Sequence, residues 1–180
     1  MESSLPKGVV IRDAVEGDIS AITRINGEVF LGNKDNIEKA NSWVQAHVAA
    51  FPVYHYYVIE KDGVFAGYVG MQIHGGFLRA SPVIELEQIG IDPAFRKQGL
   101  GSMLIKEAIS LSTELIKRLD NRIESHITFV VWAYKHNENA LKVYERIFTD
   151  GRMGERTQYG DRKEVMLRLC IPLVIPVRDQ

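Results

Sequence analysis

The stretch that most limits how this chain can fold runs from Val83 to Leu119. An aliphatic run containing Ile84, Leu86, Ile89 and Ile91 ends at Asp92-Pro93, a short loop carries Arg96, and Gly99-Leu100-Gly101 opens an amphipathic segment. In that segment Leu100, Met103, Leu104, Leu111, Leu115 and Leu119 recur on one stripe. The spacing predicts a helix of about 20 residues, about 30 Å long, with the stripe turned to a core. A strand, a loop and a helix start in succession form an anion site. First-turn N–H groups have no intrahelical partner, the helix dipole is positive there, and glycines let a phosphate approach the backbone. The expectation is a phosphorylated ligand on residues 96–102.

The remaining sequence fits one α/β domain over residues 1–180, since 46% hydrophobic content supports a single substantial core. Strand β1 is expected at Val9–Ile11. Gly17-Asp18 offers an N-cap for helix α1, with Ile19, Ile22, Ile25 and Val29 at helical spacing. Asp35-Asn36-Ile37-Glu38 reads as a capping box for helix α2, with Ile37, Ala40, Trp43, Val44 and Val48 on one stripe. Strands β2 (Tyr54–Ile59) and β3 (Val64–Ile73) flank Lys61-Asp62-Gly63, an Asp-Gly hairpin signal. After a loop bracketed by Gly75-Gly76 and Ser81-Pro82 come the strand and helix described above, β4 and α3. Strand β5 (Ile127–Tyr134) is apolar on both faces and therefore expected to be central. Helix α4 (Asn137–Phe148), a weak strand β6 (Gly151–Tyr159), a turn at Gly160-Asp161 and strand β7 (Lys163–Ile171) complete the order.

In β4 the apolar positions change phase, because Ile84 and Leu86 have one parity and Ile89 and Ile91 the other. Either the strand is buried on both faces, or a β-bulge between Leu86 and Ile89 returns all four to one side. A bulge would leave backbone groups free to hydrogen-bond an extended ligand.

The charge balance is even, 22 basic against 23 acidic residues, so nothing electrostatic points to nucleic acid or an anionic membrane. Small-molecule or peptide substrates are favoured. The one cysteine, Cys170, lies in an apolar run and is expected to be buried and inert. The N-terminus lacks a basic, apolar leader and no stretch reaches membrane-spanning length, so a cytoplasmic location is expected. His47, His55, His74, His126 and His136 show no paired ligand spacing, and no metal site is expected. Tyr54-His55-Tyr56-Tyr57, with Trp132 and Tyr134, reads either as an acceptor-pocket lining or as half-buried strand surface. The apolar tail Ile171–Val177, broken by Pro172 and Pro176, suggests packing across a homodimer interface.

The loop lacks the third glycine of a dinucleotide fingerprint and the Gly-Lys-Ser/Thr of a P-loop. Instead, Arg96-x-x-Gly99-x-Gly101 after Ile91-Asp92-Pro93 resembles the acetyl-CoA signature of the GNAT superfamily of N-acetyltransferases. Ile11-Arg12-x-Ala14-x-x-x-Asp18, the Asp-Gly hairpin and Asn137-x-x-Ala140-x-x-x-Tyr144 resemble that family's other elements, in the same order. The resemblance implies a mixed sheet of seven strands splayed between β4 and β5, flanked by four helices. It implies acetyl-CoA as cosubstrate, with its pyrophosphate on the backbone of Arg96, Lys97, Gln98, Gly99, Leu100, Gly101 and Ser102. The pantetheine arm would pair with β4 near Ile89 and Ile91. Asn137, Ala140 and Tyr144 have the spacing of one helix face. By resemblance Asn137 would bond the pantetheine region, Ala140 would leave room for it, and Tyr144 would approach the sulfur. One departure is a missing Gly-Phe pair after this tyrosine; the chain reads Glu145-Arg146-Ile147-Phe148-Thr149-Asp150-Gly151 instead.

Acetyl transfer to an amine needs the neutral amine, present at only about one part in 10³ at pH 7 for an alkylamine, a deficit of roughly 4 to 5 kcal/mol. Glu85 and Glu87 share a face of β4 and are the candidate bases, each also readable as a solvated strand residue. The resemblance allows either; Glu87, nearer the proposed bulge, is preferred, acting directly or through water. Tyr144 is the candidate acid for the departing thiolate, and the Ile89 N–H the candidate oxyanion donor. The competing readings are a non-catalytic acyl-CoA sensor and a nucleotide-binding module unrelated to CoA.

Overall fold

The computed structural model describes residues 5–31, 37–74, 81–119, 126–158 and 162–173. The elements are β1 Val9–Asp13, α1 Ile19–Asn26, α2 Ile37–Ala49, β2 Tyr54–Lys61, β3 Val64–His74, β4 Val83–Ile91, α3 Leu100–Leu119, β5 His126–Tyr134, α4 Glu138–Ile147, β6 Arg152–Gln158 and β7 Arg162–Pro172. They form one mixed sheet in the order β1-β2-β3-β4-β5-β7-β6, with β4 and β5 parallel. This is the mixed seven-strand architecture that the resemblance implies. Asp35-Asn36, Gly75-Gly76, the Gly160-Asp161 turn and the tail beyond Leu173 lie outside the described residues. No described helix is long and apolar enough to cross a membrane.

The chain divides into two compact units, residues 1–72 with 88–110, and residues 73–87 with 111–180. In the first unit, β1, β2 and most of β3 form an antiparallel meander. Asp62 and Gly63 both take positive φ, 51° and 77°, as a two-residue turn matched to strand twist requires. Against these strands α1 and α2 bury Ile22, Ile25 and Val44 on Tyr54, Tyr56, Val58 and Tyr68. Two expected stripe positions are exposed. Val29 falls beyond α1 on a π turn, Gly27–Leu31, whose wider coil rotates it out of phase. Trp43 packs over the His47 ring on the outside of α2, with centroids 4.3 Å apart.

Asp18 does not cap α1 with its side chain. It turns back to accept hydrogen bonds from the Val15 N–H at 2.8 Å and from Arg12 Nη1 and Nη2 at 2.7 and 3.0 Å. Arg12 also reaches Glu60 on β2, so the Arg12-to-Asp18 spacing serves to tie β1, the α1 start and β2 together. Burial pushes the Asp18 carboxyl up, but the Arg12 hydrogen bonds, the Val15 N–H and the Arg12 charge outweigh it and hold it below the usual range.

In the second unit β7 pairs antiparallel with both β5 and β6. Ile127, Phe129, Val131 and Ala133 of β5 are buried with Val165 and Leu167 of β7. On the other face Val130 is buried, Thr128, Trp132 and Tyr134 are half-buried, and Arg156 stands 4.2 Å over the Trp132 ring. The missing Gly-Phe pair is supplied in separate positions. Phe148 is buried at the end of α4, and Gly151, at φ 85°, turns the chain into β6. Cys170 is half-exposed rather than buried, its Sγ 3.6 Å from Thr128 Oγ1. Along α3, Leu100, Leu104 and Leu115 are buried as the stripe requires, while Leu119 at its end is exposed.

Candidate active site

Two positive-φ residues shape the loop before α3, Lys97 at 61° and Gly99 at 78°. The α3 ladder begins with the Met103 N–H on the Gly99 carbonyl, 3.2 Å, so the amides of residues 100–102 precede the helical bonds and form a ready anion contact. A Cβ on Gly101 would meet only Ile91 Cγ1, at an ordinary 3.6 Å. Packing therefore does not demand a glycine there, whereas close approach of an external group would. Leu100 offers only its backbone, since its side chain is buried. Ser102 is half-buried behind it.

The loop side chains are tied to the protein. Arg96 Nε donates to the Ile91 carbonyl at 3.0 Å, which occupies one of the β4 carbonyls expected to serve an extended ligand. Gln98 accepts from Lys61 Nζ at 2.6 Å and donates to the Ala94 carbonyl at 3.4 Å. Asp92 opens the turn Pro93–Phe95, and its Oδ1 accepts from the Ala94 N–H at 2.9 Å. Its Oδ2 accepts from Arg24 of α1 at 2.6 Å. Arg24, followed by the Ala94 N–H, holds the Asp92 carboxyl below the usual carboxylate range.

On β4, pairing with β5 runs from Val83↔Thr128 to Leu86↔Val131 and stops, although β4 continues to Ile91 and β5 to Tyr134. Ile84, Leu86 and Gly90 are buried, while Glu87, Gln88 and Ile89 are all half-buried. Alternation thus breaks where pairing ends. Contacts of the side chains agree. Gln88 Oε1 accepts from Asn26 Nδ2 of α1 at 2.8 Å, and the same amide donates to Tyr68 of β3 at 3.0 Å. Glu85 meets His74, which shares the parity of Tyr68 along β3. Glu85 and Gln88, of opposite parity, thereby fall on one side, which requires the phase change between them. Ile89 and Ile91 are half-buried rather than core, and Ile91 packs toward Gly101 and Gly67.

The two glutamates differ sharply in environment. Glu85 Oε2 lies 2.9 Å from His74 Nε2, an ion pair when the imidazole is protonated. Glu87 Oε2 is inaccessible and has no hydrogen-bond partner among the described residues. Leaving such an atom unpaired costs about 1 to 3 kcal/mol, more if charged. A site that takes up a polar ligand or water there recovers that cost.

On α4 the expected three-residue face becomes a cap and a face. Asn137 is the N-cap, its Oδ1 accepting from the Ala140 N–H at 3.2 Å, and only Ala140 and Tyr144 lie in the helix proper. Asn137 is exposed and Ala140 half-buried. Tyr144 is buried, its ring edge-on to Phe148, and desolvation pushes its phenol up to about 12. Among the described residues no group of three or more His, Cys, Asp or Glu side chains is placed to hold a metal ion.

Sequence reasoning missed His74, Arg24 and Lys61 as neighbours of these groups. Asp92-Pro93 carried a local signal, since an Asp before a proline at the first helical position favours a side-chain-capped turn. The partners reaching in from distant strands and helices carried none.

Residues 26–148 match the sequence profile of the acetyltransferase (GNAT) family. The curated ribosomal protein bS18-alanine N-acetyltransferase of Bacillus subtilis (strain 168), so named provisionally, is 37% identical over 78 residues, 42% of this chain and 48% of that protein. The chain spans about half the length of that relative. The ribosomal-protein-S18-alanine N-acetyltransferase of Escherichia coli has the same fold at TM-score 0.68 and 18% identity, covering 96% of this chain and 99% of its own. The yncA protein of Salmonella typhimurium, solved with its cofactor acetyl-CoA, gives TM-score 0.62 at 18% identity, covering 96% and 98%. With the family profile spanning more than half of the sequence, this chain belongs to the acetyltransferase (GNAT) family.

Proposed function

We propose that the chain, as one catalytic domain over residues 1–180, moves an acetyl group from acetyl-CoA directly to a primary amine of a small molecule, peptide or protein. The observation that carries this reading is the buried, unpartnered Glu87 Oε2 on the half-buried stretch of β4. Glu85 is engaged by His74, so Glu87 is the base, receiving the ammonium proton directly or through a water. Pyrophosphate on the 96–102 backbone is supported by the helix-start amides and by the space at Gly101. Pantetheine pairing at Ile89 and Ile91 is supported by the β4 edge that has no β5 partner beyond Leu86.

The neutral amine attacks the thioester carbonyl, a new C–N bond forms, and the tetrahedral oxyanion is stabilised by the Ile89 N–H. Collapse breaks the C–S bond and releases thiolate, and the excess proton on the new amide nitrogen leaves to solvent. With its phenol near 12, Tyr144 keeps its proton throughout. Transfer to a thiolate of ordinary pKa near 8.5 would be uphill. Tyr144 therefore assists mainly by donating a hydrogen bond to sulfur, with the proton delivered as the thiol regains solvent. Asn137 keeps its amide N–H groups for the pantetheine while its oxygen caps α4.

A thiol-release assay with acetyl-CoA and a panel of polyamines, amino acids and N-terminal peptides tests the reading. Glu87→Gln should lower kcat by about 10²- to 10⁴-fold, with a smaller loss in Glu85→Gln. Full turnover across pH in Glu87→Gln removes the base assignment. Binding of acetyl-CoA without transfer to any amine would leave a sensor in place of an enzyme.

A further inference from the structure

From Pro93 to Gly99 only Phe95 is even half-buried, so the shape of the loop rests on hydrogen bonds and not on packing. Four hydrogen bonds at the start of the loop involve Asp92. Its N–H donates to the Ala66 carbonyl of β3 at 2.9 Å, and its carbonyl accepts from the Phe95 N–H at 2.9 Å. One carboxylate oxygen caps the turn through the Ala94 N–H, and the other is held by Arg24 Nη2 at 2.6 Å. Arg24 lies in the last turn of α1, 68 positions away in sequence, and its second contact is Glu28 at 3.4 Å. Without the arginine, the Asp92 carboxylate keeps only the Ala94 N–H as a side-chain partner, a weaker hold on the geometry that caps Pro93–Phe95. The turn is immediately upstream of Lys97 and Gly99, whose positive φ values aim the backbone into α3.

We propose that Arg24 is a positioning residue for acyl-CoA: through Asp92 it fixes the turn that presents the helix-start amides to the pyrophosphate. The proposal rests on the reading that residues 96–102 take the CoA phosphates. Arg24 itself touches no part of that backbone segment. It acts on the ligand by limiting the conformations from which the amides must be recruited. An ordinary surface ion pair would behave differently. With Arg24 half-exposed at 49%, such a pair would contribute little to stability and nothing to ligand affinity.

Calorimetric titration with CoA separates these outcomes, using wild type, Arg24→Gln, Arg24→Lys, Asp92→Asn and the double variant Arg24→Gln/Asp92→Asn. Asp92→Asn retains an oxygen for the Ala94 N–H but loses the charge. In Arg24→Gln the Kd for CoA should rise about fivefold or more, and kcat at saturating acetyl-CoA should stay within about twofold. Arg24→Lys should recover part of the affinity, and the double variant should be no weaker than the worse single variant. Phosphorus NMR of bound CoA should show the pyrophosphate resonances altered in Arg24→Gln and the ribose phosphate resonance unchanged. Equal Kd in wild type and Arg24→Gln overturns the positioning role and leaves the CoA reading intact. Parallel loss of kcat, affinity and melting temperature, with all phosphate resonances shifted alike, also overturns it. Failure of the wild-type chain to bind CoA overturns both readings.

Discussion

Tyr144 is buried, whereas Glu87 is half-buried with its Oε2 cut off from solvent. Desolvation disfavours the charged phenolate, so Tyr144 stays neutral until about pH 12. A phenol held neutral retains its O–H as a donor, and its removal should weaken the step that expels thiolate without touching acceptor binding. Tyr144→Phe is expected to lower kcat while the acceptor KM stays unchanged. The wild-type pH profile should show no limb from this residue below its own titration near pH 12, checked by following phenolate absorbance. Glu87 was legible as a carboxylate in an apolar strand, but its lack of a partner was not. Its companion Glu85 finds His74 across 11 positions, and nothing in the spacing of either residue announces that pairing. Resemblance allowed both glutamates, and only side-chain contacts distinguish them.

The strand, loop and helix centred on Gly99 and Gly101 contain two glycines required for different reasons. Gly99 adopts φ 78°, so Gly99→Ala should cost about 1 to 2 kcal/mol in denaturant unfolding. Gly101 has room for a Cβ beside Ile91. Gly101→Ala should leave stability unchanged or raise it by up to about 1 kcal/mol while weakening CoA binding, which separates ligand space from fold geometry. The N-terminus of α4 permits a similar separation. Asn137→Ala should lose about 1 kcal/mol of capping, whereas Asn137→Asp keeps the acceptor for the Ala140 N–H and loses the amide donors. A raised KM for acetyl-CoA in the Asp variant, at unchanged melting temperature, is the expected result. Spacing alone put Asn137, Ala140 and Tyr144 on one face because it cannot tell a cap from the first helical residue. Periodicity located every strand and helix to within a few residues, since burial follows the same periods. It failed at Val29, where a π turn shifts the period, and at Trp43, where a large apolar ring covers the outside of α2.

Among the described residues, two buried titratable groups contribute to how stability responds to acid. His55 is buried, and desolvation depresses its folded pKa below the ordinary 6.5. Asp18 is depressed by its Arg12 and Val15 partners despite burial. Both groups bind protons more readily when unfolded, so stability is fully present above their unfolded values and falls as pH drops. The loss should begin below about pH 6.5 from His55 and deepen below about pH 4 from Asp18. Urea unfolding at stepped pH checks this: Asp18→Asn should flatten the lower window and His55→Gln the upper. The end of the β4–β5 ladder at Leu86 has a different consequence for the whole sheet. Open sheets ordinarily have two edges, each a liability because another polypeptide can add a strand there. Pairing between β4 and β5 is limited to four residue pairs. Five residues of β4 and three of β5 run on past the last pair, less on the β5 side than a typical strand of about five or six residues needs. A free stretch that short is a poor template for an added polypeptide strand.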